Sequence, residues 1–459
     1  MTLLEAFIGQ CAAWAPAFAR RGTAARAVRH AVSGLCCMGR RTISRIIMGA
    51  GRGDADWSAE YLLFSRSPWD EAQLFMPSVR HTAGHGYARH VAIAFDDTKV
   101  RKTGRKIPGT CWQRDPLSPP FHVNFMYGLR FLQASALVPL HLGDDMPARG
   151  VPVGFQEARV LKRPGARGTQ EQRDAYRAAQ RTESLPAKFA VMLGQLRVAY
   201  DQAGAMSKLL VAVCDGSFCN RTSFAVSVER TVLLARCRKD ARLCRPAAPG
   251  SRRVYDAATF TPEQVRADEA VPWHTTKIHH GGQRRDVRYK EMGRILWRHG
   301  AKRMPLRLVV IAPVPYRTTR TGKTYYRLPA YLLTNDLDSD TTLLIQMYFD
   351  RWEIEVNHRD EKDTLGVGQA QVWSRDAVPR HPAFMVAAYS NLLVASMIAY
   401  GTRRTEDYLP LPAWRKPSRR PSCQDLVSQL RREMNEHPEL VHMYGIRGGN
   451  GELVRAAAA

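Results

Sequence analysis

Tyr348, Arg351, Glu355 and Lys362 follow one another at intervals of three, four and seven residues. On a helix turning about 100° per residue they fall within roughly 60° of one another. One face then presents a phenol, a guanidinium, a carboxylate and an ammonium, with Trp352 and Arg359 near its edge. Glu353 and Glu361 point well away from that arc, so spacing singles out Glu355 among the nearby acids. Such a face suits a phosphodiester: the acid can hold a metal while the cations and phenol hold neighbouring phosphates. The same spacing also fits a solvated charged face with intrahelical ion pairs. Context has to decide between them.

Two apolar runs supply that context. Val91 to Phe95 leads into Asp96-Asp97-Thr98, and Leu209 to Cys214 leads into Asp215-Gly216-Ser217. Each reads as a buried strand that delivers a carboxylate at its end. Asp96 and Asp97 alternate to opposite faces of an extended strand, so only one of them can join a shared site. Three carboxylates converging at a sheet edge can bind two Mg²⁺ ions about 4 Å apart, one activating the attacking oxygen and one stabilising the leaving oxygen.

With every spacing intact, Y-x2-R-x3-E-x6-K at Tyr348, Arg351, Glu355 and Lys362 resembles the signature of DDE transposases of bacterial insertion sequences. The family's first acid follows a hydrophobic strand and precedes Thr, matching Asp97 in AFDDT, and its second matches Asp215 in VAVCDGSF. The likeness runs from about residue 30 to 430, including DTLGVGQAQVWS after Lys362. It implies an α/β chain with a ribonuclease H-like catalytic domain (a mixed sheet flanked by helices), a β-rich insertion between the second Asp and the Glu, and an N-terminal helical DNA-binding region. The implied activity is cleavage of transposon ends and joining of the freed 3′-OH to target DNA, carried out by a homodimer. Asp97, Asp215 and Glu355 would be the catalytic, metal-holding acids, with Mg²⁺ as cofactor and Mn²⁺ as substitute. Tyr348, Arg351 and Lys362 would contact the end DNA, joined by Trp352 and Arg359.

The expected organisation has five parts. Residues 1–85 form a helical, helix-turn-helix-like DNA-binding region; 86–220 and 339–402 form the two parts of the catalytic domain. Between them lies the β-rich insertion at 221–338, and 403–459 make a linker and helical tail. In the first part, a turn at Gly39 precedes Arg40, Arg41, Thr42, Ser44 and Arg45, while Ile43, Ile46 and Ile47 can face a core. That layout fits a recognition helix with Arg40, Arg41 and Arg45 toward DNA, and equally an ordinary amphipathic helix. Residues 121–143 read as two antiparallel strands, 169–200 as helix, and Phe224–Val228, Leu306–Val314 and Tyr325–Leu333 as short strands. Helix is expected at Ser339–Leu365, at 383–400 and in DLVSQLRREM.

Composition agrees with a polyanionic partner. The 459 residues carry 68 Lys and Arg against 42 Asp and Glu, a net +26 spread along the chain, which suits a long nucleic-acid footprint better than a membrane anchor; the resemblance makes that partner double-stranded DNA. Nine cysteines and a first segment with Glu5 and no basic start point to a reducing, cytoplasmic compartment, bacterial by the Arg- and Ala-rich composition. No C-x-x-C pair occurs, so structural zinc has little support. The charge-free stretch Ala383–Tyr400 holds Ser390, Asn391 and Ser396 and reads as a core helix rather than a membrane span. Two other functional classes fit the same features: a ribonuclease H-like nuclease without strand transfer, and a non-catalytic transposase-derived DNA-binding regulator. A tyrosine-recombinase reading lacks its Arg/His/Arg set.

Overall fold

Side-chain caps and apolar stripes start the chain in helices. Thr2 and Glu5 close a capping box at the head of α1 (Leu3–Ala12), followed by α2 (Arg21–Cys36). Gly39, at φ +71°, makes the turn into α3 (Ile43–Gly49), whose N-cap Thr42 accepts from the Arg45 N–H. Ile43, Ile46 and Ile47 are buried, as their spacing requires. α4 (Ser58–Ser65) and α5 (Met76–Gly84) complete the helical start. The computed structural model describes residues 1–119, 121–140, 148–317, 319, 321–416 and 418–447.

A mixed sheet of ten strands follows, flanked by helices. Its first strands are β1 (His90–Arg101), β2 (Cys111–Arg114), β3 (Phe125–Pro139) and β4 (Ala148–Glu157). β1 pairs antiparallel with β3, which also carries β2 and β4. After α6 (Gln170–Glu183) and α7 (Leu185–Tyr200), β5 (Leu209–Cys214) pairs parallel to β1. Next come α8 (Arg221–Phe224) and β6 (Thr231–Arg236), the latter parallel to β5. The hairpin β7 (Leu243–Pro246) with β8 (Tyr255–Phe260) stands outside the sheet and leads to α9 (Pro262–Ala267). β9 (His274–His280), β10 (Gln283–Ile295) and β11 (Leu306–Ile311) return to the sheet. A small hairpin, β12 (Pro315–Arg317) with β13 (Thr324–Tyr326), precedes β14 (Ala330–Thr334). The order across the sheet is β2-β3-β1-β5-β6-β14-β11-β10-β9.

Several expectations change. The acids of β1 lie inside the strand, not at its end, because antiparallel pairing with β3 continues to Arg101 opposite Gly128 while parallel pairing with β5 stops at Phe95 opposite Cys214. The region expected as two strands at 121–143 is one fifteen-residue strand, β3, which β1 and β4 flank from both sides; 141–143 lie outside the described residues. Phe224 ends a helical turn capped by Asn220 instead of starting a strand. The boundary drawn at 220/221 falls between β5 and β6, which are parallel neighbours, and β9, β10, β11 and β14 of the β-rich segment belong to the same sheet.

After β14 the chain is helical again. α10 (Thr341–Asp350) and α11 (Trp352–Arg359) join through Arg351, itself in helical conformation, and Asp360–Thr364 form a wider π-helical turn. α12 (Ala377–Tyr400) is the spine of the helical part. Its apolar stretch is mostly buried, which is compatible with a soluble protein. Leu3 and Phe7 of α1, Val28 and Ala31 of α2, and Leu426 and Leu430 of α13 (Cys423–Glu436) pack into one core with Phe384, Leu392 and Leu393. The regions expected as 1–85 and 403–459 thus share a core with α12, and α14 (Pro438–His442) closes it; 448–459 lie outside the described residues.

Candidate active site

Where β1 and β5 stop pairing, the sheet opens into a cleft of about 990 Å³ lined by Asp96, Asp215, Arg351 and Glu355. Each acid comes from a different element. Asp96 points to the sheet face that carries Ala92 and Ala94 and packs against Ile354 of α11. Asp215 follows the last residue of β5 and caps the next turn, accepting from the Ser217 N–H at 2.9 Å. Glu355 stands on α11, four residues after Arg351, and accepts from Arg351 Nη2 at 2.9 Å.

Asp96, not Asp97, lines the cleft with Asp215 and Glu355. Asp97 shares the opposite sheet face with Phe95, and the charges that act on it are those of Arg130, Lys99, Asp215 and Lys362. Burial, joined by the Asp215 charge, raises its carboxyl pKa, while the three cations pull it down. The Thr that follows Asp97 is a sequence cue; the pleat decides which carboxylate enters the cleft. Burial, together with the nearby Asp215, Asp97 and Glu355 charges, holds the Asp96 carboxyl up to about 7, against the opposing pull of Arg351.

Arg351 is the central cation. Its Nη1 lies 3.7 Å from Asp96 and its Nη2 bonds Glu355, yet Nε and Nη1 are buried with no hydrogen-bond partner. Burial would lower its pKa, but Asp96 and Glu355 outweigh this and raise it. With a guanidinium between the acids, no group of three His, Cys, Asp or Glu among the described residues is arranged to hold a metal ion.

Arg351 also borders a second cleft of about 590 Å³, with Tyr348, Trp352, Arg236 and Arg327. Burial raises the Tyr348 phenol pKa, against the pull of Arg236 and Arg351. Trp352 is half exposed, and the Arg327 guanidinium lies 5.9 Å from its ring centre. Lys362 lies in the π-helical turn, where the charges of Asp96 and Asp97 act on it. Burial depresses its pKa, against the pull of Glu361, Asp363 and those two acids. Arg359 is exposed beside Asp360 and lines neither cleft.

The two acids set aside on spacing point away. Glu353 is buried against Arg420, at 2.7 Å and 3.1 Å, and Glu361 accepts from Gln133 at 2.8 Å. Residues that the spacing missed are Asp96 and the basic rim Arg236, Arg238, Lys239 and Arg266. A signal for most of them was present: VLLARCRK runs from the apolar core of β6 straight into three cations.

Among the N-terminal arginines, Arg40 is exposed and Arg45 half-buried, but Arg41 is not available to DNA. It is 8% exposed, and its Nε donates to the Gly34 carbonyl at 3.2 Å. Arg26, Arg29, His30 and Arg52 converge on buried Glu60, so part of this region's positive charge is neutralised inside the fold. No family model matches the chain, and no curated protein matches it.

Proposed function

We propose that the chain is a DNA transposase of the DDE type, which binds the terminal inverted repeats of its element, cuts the ends and joins the 3′-OH to target DNA. The observation that carries this reading is the convergence of Asp96, Asp215 and Glu355, from two parallel neighbouring strands and a later helix, on one cleft bordered by cations. The strand order β4-β3-β1-β5-β6, with β3 alone running against the other four, supports a ribonuclease H-like core.

Three carboxylates are donors that suit a hard divalent cation once Arg351, which stands between Asp96 and Glu355 in this structure, turns away. Asp96, Asp215 and Glu355 would hold it, and Mg²⁺ or Mn²⁺ bound there supplies Lewis-acid stabilisation of the attacking and leaving oxygens. The chain's own groups do the rest. Arg351 has two donors without partners and can turn them to a phosphate, releasing Glu355. Tyr348 and Arg236 flank the path from one cleft to the other and can hold adjacent phosphates, and Lys362 approaches from the β1 side. No side chain becomes bonded to DNA, because water attacks in the first step and the freed 3′-OH in the second.

Cleavage of a linear duplex carrying the inverted repeats that flank the gene tests this reading. With Mg²⁺, the unsubstituted chain should nick at the repeat, and Glu355→Gln should lose nicking by a hundredfold or more while still binding the duplex. Nicking retained by Glu355→Gln overturns the assignment. Joining to an added target duplex separates a transposase from a nuclease.

A further inference from the structure

The outer edge of the sheet carries an arm that the acid cleft does not use. β2 is the terminal strand, four residues long, and the turn from β2 to β3 projects beyond it. That turn is built. Asp115 N–H donates to the Asn124 carbonyl at 2.8 Å, the Leu117 N–H donates to Asp115 at 3.0 Å, and Ser118 Oγ accepts from the Asn124 N–H at 3.0 Å. Arg101, at the end of β1, pairs with Asp115 at 2.5 Å.

On this hairpin three large apolar side chains are exposed. Trp112 is 63% exposed, Phe125 64% and Phe121 90%. Exposed single apolar residues are ordinary; three aromatic rings on one hydrogen-bonded hairpin are not. Cations surround them. Residues 99–130 hold seven Lys and Arg against one Asp, and Arg101, Arg105, Lys106 and Arg114 are exposed.

Register places the arm on the acid side. Asp96 lies opposite Gln133, and every second pair along β3 shares that face, down to Tyr127 opposite Trp112 and Phe125 opposite Arg114. Trp112 and Tyr127 meet edge to face at 5.5 Å, forming a ledge on the same sheet face as the acid cleft. Basic groups and exposed π-faces together favour a polynucleotide, and specifically unpaired bases, since a duplex keeps its base faces stacked and out of reach.

We infer that the β2–β3 arm is a binding surface for single-stranded nucleic acid, with bases stacking on Trp112, Phe125 and Phe121 and phosphates held by the surrounding Lys and Arg. The surface stands on its own residues, independent of whether the acid cleft cuts DNA.

Fluorescence anisotropy of a labelled 20-nucleotide oligothymidylate with the full chain tests it, with a duplex of the same length in parallel. Trp112→Ala/Phe125→Ala should weaken oligothymidylate binding roughly tenfold or more, the scale of losing one or two stacked bases, and change duplex binding less than about threefold. Trp112→Phe should retain most of the affinity. Both rings are exposed, so the melting curve of the double variant should match the unsubstituted chain. Unchanged oligothymidylate binding overturns the inference, as does an equal loss on single strand and duplex. So does binding of anionic phospholipid vesicles, but not oligothymidylate, through these rings. Glu355→Gln should leave the arm's binding intact, so the cleavage reading and this one can fail separately.

Discussion

Two adjacent acids with opposite orientations give the sharpest test at the scale of single residues. Asp96 lines the cleft with Asp215 and Glu355, whereas Asp97 lies on the opposite sheet face, where the charges of Arg130, Lys99, Asp215 and Lys362 act on it. Asp96→Asn should therefore remove end cleavage by a hundredfold or more, and Asp97→Asn should keep cleavage within about tenfold, each measured on the same duplex. The reverse ranking would return the role to Asp97. Glu361 gives a second test, through pH. Burial holds its carboxyl up to about 8, partly offset by Gln133 and Lys362. A raised acid pKa means the folded state binds the proton more tightly than the unfolded one, so stability falls as pH rises from about 4.5 to about 8. Asp350, held up to about 7 mainly by burial, acts in the same direction. Glu361→Gln keeps a neutral group in place and should raise the melting temperature at pH 8.5 by a few degrees, at about 2 °C per kcal/mol, with little change at pH 4.5. An equal shift at both pH values would sink this account.

At the scale of elements, the seat of α11 on β4 controls where Glu355 stands. Gly150 of β4 has no room for a side chain: a Cβ would lie 2.6 Å from Asn357 Oδ1 and 3.0 Å from the Glu353 carbonyl. Asn357 Nδ2 also donates to the Gly150 carbonyl at 3.0 Å. Gly150→Ala should push α11 off the sheet, cost about 1–3 kcal/mol in thermal or denaturant unfolding, and reduce end cleavage more than end binding. Cleavage at the full rate in a folded Gly150→Ala protein would mean that this contact does not position the helix. Of these elements, helix periodicity marked the Tyr348–Glu355 face in sequence, and the Arg351–Glu355 bond matches it. The π-helical turn at Asp360–Thr364 was invisible because it changes hydrogen-bond register without changing residue type. The continuation of β1 past its acids was hidden for a related reason. Asp96, Asp97, Lys99 and Arg101 look like a loop, yet pairing with β3 carries them as strand.

For the whole molecule, charge sets the expectation. A net +26 with an exposed basic arm and a basic cleft rim predicts steep salt dependence of duplex binding. The slope of log affinity against log salt should be about −0.9 per phosphate neutralised, and near −5 or steeper if five or more contacts form. A slope near zero would argue against a polyanionic partner. Not every arginine contributes: Arg41 donates inside the helical core, and Arg26, Arg29 and Arg52 gather around Glu60. Composition counts these charges without distinguishing them from Arg114 or Lys106 on the surface.

By itself, the sequence determined which residue types could do chemistry and which elements carry them. It marked apolar runs that must be strands, a helical period that isolates Glu355, and a buried apolar helix later realised as α12. Those follow from local periodicity, which needs no partner to be legible. Only the tertiary structure decided that Asp96 rather than Asp97 enters the cleft, that Arg351 stands between the acids, and that the β-rich segment extends the sheet. Each of these depends on which distant strand or helix supplies the neighbour, and that information lies in packing across the fold.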